Sequence, residues 1–90
     1  MDKKLVRVTW IDASDPSAGI GWFSDDEVDK FSDEKVEVTS VGYIKSDTKL
    51  YLTIVADYIE NGDGTCTWGR PTKIPHGMIV KTEELFVKDV

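Results

Sequence analysis

The chain has 90 residues, a length that suits one small domain and leaves no room for a second hydrophobic core. A composition of 40% apolar and 31% charged residues excludes disordered and fibrous classes. Seventeen acidic residues against 11 basic ones give a net charge of −6, which opposes binding to polymeric DNA or RNA and to anionic membrane surfaces, since both are held chiefly by excess Lys and Arg.

In chain order, Leu5 to Ile11 alternates Val6, Val8 and Trp10 against Leu5, Arg7, Thr9 and Ile11, the period-2 pattern of a strand. Asp12 to Ser24 is rich in Pro, Gly and Ser and reads as a long loop closing on Trp22 and Phe23; loops beyond about 12 residues are usually functional or disordered. Ser24 followed by Glu27 is a capping box, and Asp25 and Asp26 suit the positive end of a helix dipole. A short helix over about Asp25–Phe31 follows, with Val28 and Phe31 expected to face the core. Lys35–Lys45 and Lys49–Ile59 predict a hairpin turning at Ser46–Thr48, its second strand central. Asn61-Gly62-Asp63-Gly64 predicts a tight turn with positive φ, leading into a strand over Thr65–Arg70 whose far end Pro71 restricts to an edge or an exit. Ile74–Gly77 predicts a turn before the last strand, Met78–Lys81, which Glu83 to Val87 extend.

Five strands and one short helix predict an all-β domain, a small SH3-like five-stranded antiparallel barrel or strongly bent sheet; an open sheet with the helix across it is the alternative. A domain this small buries about two-thirds or less of its unfolded surface, so homo-oligomerisation is expected to add core. Cys66 is the sole cysteine and closes no intrachain disulfide, and neither a signal peptide nor an 18-residue apolar run is read, which predicts a cytosolic chain.

Catalytic constellations are hard to assemble from one His and one Cys, with no HExxH, Walker loop or CxxC motif. Cys66 and His76 would have to meet in space as nucleophile and base, and Cys66 reads more simply as a small apolar strand residue. No enzymatic role, cofactor or metal is expected. Asp25, Asp26, Glu27, Asp29, Asp33 and Glu34 against Lys30 form an acidic stretch. It reads first as a solvated helix face and alternatively as a row of carboxylates imitating phosphates. Gly64 to Thr82, in contrast, contains no acid while holding Trp68, Arg70, Lys73, His76 and Lys81. On an acidic chain, such a segment suits a small phosphorylated ligand better than a polymer, because close-range grip survives where long-range repulsion prevails. Trp22, Trp68, Tyr43 and Tyr58 are the rings free to stack on a base, each stack contributing about 1–3 kcal/mol. The plainer reading has Trp68 filling one end of the domain and Arg70 and Lys73 as ordinary surface charges.

Val8-Thr9-Trp10-Ile11-Asp12-Ala13, Gly21-Trp22, Ser40-Val41-Gly42-Tyr43-Ile44 and Ile74-Pro75-His76-Gly77-Met78-Ile79, in this order along nearly the whole chain, resemble a widespread group of small bacteriophage proteins. The likeness extends to the anti-CBASS sponges, which sequester cyclic oligonucleotide immune signals. It implies a non-catalytic oligomeric binder in the host cytoplasm, holding a cyclic oligonucleotide at a subunit interface. At the matched positions it implies stacking by Trp22, a base-edge or loop-holding role for Asp12, and a rim position for Tyr43. Arg70, Thr72 and Lys73, with Trp68 and His76 beside them, are assigned to the ligand from charge and aromatic placement. Nanomolar capture corresponds to about −12 kcal/mol, which a ligand of about 45 atoms reaches only when nearly engulfed; the expected site therefore lies between subunits. The rival expectation is an SH3-like protein-protein interaction module that inhibits a host protein through Trp22, Phe23 and the acidic helix.

Overall fold

The computed structural model describes residues 3–13 and 21–88. Strands β1 (Leu5–Asp12), β2 (Val36–Asp47), β3 (Tyr51–Glu60), β4 (Cys66–Pro75) and β5 (Ile79–Leu85) form one antiparallel sheet in the order β4-β3-β2-β1-β5. Helix α1 (Asp25–Ser32) lies between β1 and β2 in the chain, and a single 3-10 turn, His76–Met78, joins β4 to β5. Residues 14–20 of the expected Asp12–Ser24 loop lie outside the described residues, and Asp12 itself ends β1, opposite Val36.

The apolar alternation that marks each strand in sequence is what bends the sheet. Val6 and Val8 of β1, Leu52 and Ile54 of β3 and Ile74 of β4 are all at most 2% exposed and form one cluster, with Trp10, Ile44 and Ile79 packed around it. β1 and β3 are not neighbours, since β2 runs between them, so these side chains meet only because the sheet curls around its own concave face. A bulge between Ile44 and Ser46 helps β2 turn. Gly42 permits the close approach: a Cβ there would stand 2.8 Å from the Val55 carbonyl oxygen. Gly42→Ala should therefore cost about 1–3 kcal/mol through overpacking, read as a lowered thermal midpoint.

The sheet stays open, with β4 and β5 as its edges, so the bent-sheet form of the expectation holds and the closed barrel does not. β3 is interior as expected, although β2 takes the middle place. β4 does not end near Pro71. It continues to Pro75, with Pro71 opposite Val55, because an edge strand tolerates proline wherever the missing N–H would point to solvent. The Asn61–Gly64 turn forms as read, Gly64 taking φ +89° while Asp63 accepts from the Thr65 amide at 3.0 Å.

The helix departs from expectation. Its capping box forms, the Ser24 hydroxyl accepting from the Glu27 amide at 3.3 Å and the Glu27 carboxylate accepting from the Ser24 amide at 3.3 Å. Val28 and Phe31 do not face the core, however. Among the described residues no α1 residue is buried, and the closely packed pairs of elements are β3 with β4, β1 with β2 and β5, β2 with β3, and the 3-10 turn with β1. The radius of gyration is 17.7 Å, against about 12 Å for a compact chain of this length. The concave face is filled by its own strands, so nothing draws the helix across it. Among the described residues no helix is long and apolar enough to cross a membrane.

Candidate functional site

Two surfaces gather the candidate residues. The first is α1 with the residues before it. Phe23 precedes the cap and Val28 sits one position beyond the first turn, the placing of a hydrophobic staple. Together with Phe31 they line a shallow hollow of about 250 Å³, rimmed by Glu27, Lys30 and Glu34. Val28 is 48% exposed and Trp22 is 92% exposed. The opposite side of the helix carries Asp25, Asp26 and Asp29, so an apolar stripe lies between carboxylates. A helix of eight residues is marginal in water without packing. What holds α1 is its cap, worth about 1 kcal/mol, and three acids in the first turn set against the dipole.

The second surface spans β2, β3 and β4. Tyr43 meets Tyr58 edge-on with centroids 5.1 Å apart, and Tyr58 meets Trp68 at 6.1 Å. Lys3 Nζ lies 4.4 Å from the Tyr58 centroid and Lys45 Nζ 5.1 Å from that of Trp68. Lys3 also pairs with Glu60 at 3.0 Å, beside a hollow of about 220 Å³ lined by Glu60, Asn61, Gly64, Thr65 and Cys66. Tyr58, Lys3 and Lys45 join Tyr43 and Trp68 only through strand register, which brings together residues 10 to 55 positions apart.

The acid-free Gly64–Thr82 segment is not a free basic patch. Arg70 Nε donates to Asp57 Oδ2 at 2.8 Å, His76 Nε2 is 2.7 Å from Asp47 Oδ1, and Lys73 Nζ lies 4.1 Å from the Tyr51 centroid. Lys81 is 3.7 Å from Glu83. Acids from another strand or from two residues along the same one thus meet Arg70, His76 and Lys81, while Lys73 lies over a ring. Arg70 also has φ +50°, a left-handed conformation costing a non-glycine residue about 1 kcal/mol. Gly69 stands opposite Asp57, and a Cβ there would come within 3.2 Å of the Asp57 Cβ. Thr72 is half-buried opposite Ile54. Asp12 is exposed at the end of β1, and neither it nor Trp22 enters the aromatic cluster. Cys66 and His76 flank the two ends of β4, about 30 Å of strand apart, so they form no nucleophile–base pair within one chain.

Four exposed carboxylates, Asp57, Glu60, Asp63 and Glu83, titrate low. The Arg70 guanidinium holds Asp57 below its ordinary 3.8, hydrogen bonds from Thr65 do so for Asp63, and Lys3 and Arg7 hold Glu60 and Glu83 below 4.5. A carboxylate depressed in the folded state adds stability above its unfolded pKa, and that contribution is lost as pH falls through the folded value. The thermal midpoint should therefore be flat from pH 7 to about 5 and fall below about 4.5, with added salt reducing the slope; a pH titration of melting checks this.

No protein-family profile matches the sequence, and comparison with curated proteins and with solved structures likewise finds no match.

Proposed function

We propose that the chain is a protein-binding module whose docking element is α1 together with Trp22 and Phe23. The observation that carries this reading is a capped amphipathic helix whose apolar stripe packs closely against none of the described strands, entered through a tryptophan that is 92% exposed. Trp is the residue type most enriched among interface hot spots, and an amphipathic helix entering a groove is a common mode of recognition. The carboxylates beside the stripe select the partner's chemistry: an apolar groove rimmed by Lys and Arg. Ordering of the short helix on docking supplies specificity at some cost in affinity.

The test is affinity capture with the whole chain, followed by purification of the enriched protein and titration of the pair. Support requires binding that weakens with salt and is lost in both Trp22→Ala and the charge-reversed Asp26→Lys/Asp29→Lys chain. A purified pair that tolerates both changes overturns the reading.

A second reading, sequestration of a cyclic oligonucleotide at a subunit interface, is supported by the Tyr43–Tyr58–Trp68 cluster flanked by Lys3 and Lys45. Both lysines lie over rings, so base stacking on Trp68 requires Lys45 to move from the ring to a phosphate. A panel of cyclic di- and trinucleotides tests it by thermal shift; no stabilisation by any of them removes it.

A further inference from the structure

The two edges of the sheet are not alike. A proline has no N–H to give, so Pro71 and Val55 form a pair without mutual hydrogen bonds, and Pro71, Lys73 and Pro75 turn their backbone polar groups to the free side of β4. Two of those three positions lack a donor, and Arg70 beside them is left-handed. β4 is thereby closed to a further strand.

The same alternation can be followed to the other edge. Val55 turns its polar groups toward Tyr43, and the Ile44 amide donates to the Lys4 carbonyl at 2.9 Å, so Leu5 turns its own toward β5. Lys81, Glu83 and Leu85, opposite Thr9, Arg7 and Leu5, then bond inward, leaving the N–H and C=O groups of Thr82 and Glu84 on the free side. No proline interrupts β5, and a bulge at Val80 bounds this free stretch.

We infer that the β5 edge is a self-pairing surface, taking a second copy of this chain antiparallel about a two-fold axis at Thr82. In that register each Thr82 exchanges both backbone bonds with the partner's Thr82. Lys81 lies opposite the partner's Glu83 and Glu83 opposite the partner's Lys81, within the stretch that the Val80 bulge bounds. Charge selects this register. An axis at Glu83 sets Glu83 against the partner's Glu83, and an axis at Glu84 does the same with Glu84, each opposing like charges. The pairing is isologous and closes at two subunits. It continues the sheet to ten strands and leaves the α1 ends at opposite extremes of it, since the axis reverses strand direction. It rests on neither functional reading above.

Sedimentation of the full chain from micromolar to millimolar concentration tests the proposal, with a dimer at twice the 10.1 kDa chain mass expected. Thr82→Pro removes an outward donor that no described residue of the single chain accepts from, and should give a folded monomer with an unchanged far-ultraviolet spectrum. Lys81→Glu should raise the dimer dissociation constant about tenfold or more at low salt, the effect shrinking as salt rises. If Thr82→Pro fails to fold, Lys81→Glu decides. A wild-type chain that remains at 10.1 kDa throughout, or a folded variant that dimerises like wild type, overturns the proposal.

Discussion

Replacing Ile74 with alanine should cost about 3 kcal/mol and lower the thermal midpoint by roughly 12 °C or more. Ile74 is 0% exposed although it belongs to edge strand β4, and it touches a cluster drawn from β1 and β3. It therefore holds the curl of the sheet as well as filling volume. Six apolar side chains of the described residues are fully buried, so one deletion leaves a cavity that few neighbours can fill. Chemical denaturation should show a lower midpoint with little change in slope. An unchanged midpoint would mean that the concave face does not close as described.

Trp22→Ala should weaken binding of the α1 partner by about 2 kcal/mol or more, a factor of about 30 in Kd, while leaving the fold untouched. The separation follows from place. Trp22 precedes α1 and is 92% exposed, whereas the cluster that stabilises the sheet contains no residue between Trp10 and Ile44. Ser24→Ala should act in the same direction more weakly, since it removes the cap and lowers the population of docking-competent helix. Calorimetric titration reads the affinity of each variant, and thermal melting in parallel shows that the sheet is unaffected.

The strands were legible because their core residues alternate. Val6, Val8 and Trp10, or Leu52 and Ile54, announce one buried face before any partner strand is known. The capping box was equally plain in Ser24 and Glu27. The destination of the helix was not legible. Val28 and Phe31 show the same spacing whether the apolar stripe meets the chain's own sheet or another protein, and only the filled concave face distinguishes the two. The continuation of β4 through Pro71 also depends on tertiary place, because proline breaks a central strand but not an edge.

The acid-free segment misled for a physical reason. Charge counted along the chain does not register what lies across the sheet, and Asp57 and Asp47 arrive from β3 and β2 to meet Arg70 and His76. Antiparallel pairing also assembles Tyr43, Tyr58 and Trp68, of which periodicity identified the rings but not their contact. Lys3 completes that cluster from just ahead of β1, where no strand pattern drew attention to it.

On the proposed reading, the apolar stripe of α1 serves a partner and not the core. Equilibrium unfolding of the Val28→Ser/Phe31→Ser chain tests it most directly. An unfolding free energy within about 0.5 kcal/mol of wild type is expected, since neither side chain belongs to the sheet's cluster. A loss of about 2 kcal/mol or more, the signature of buried side chains removed from a core, would show that the helix packs on the sheet and would contradict it.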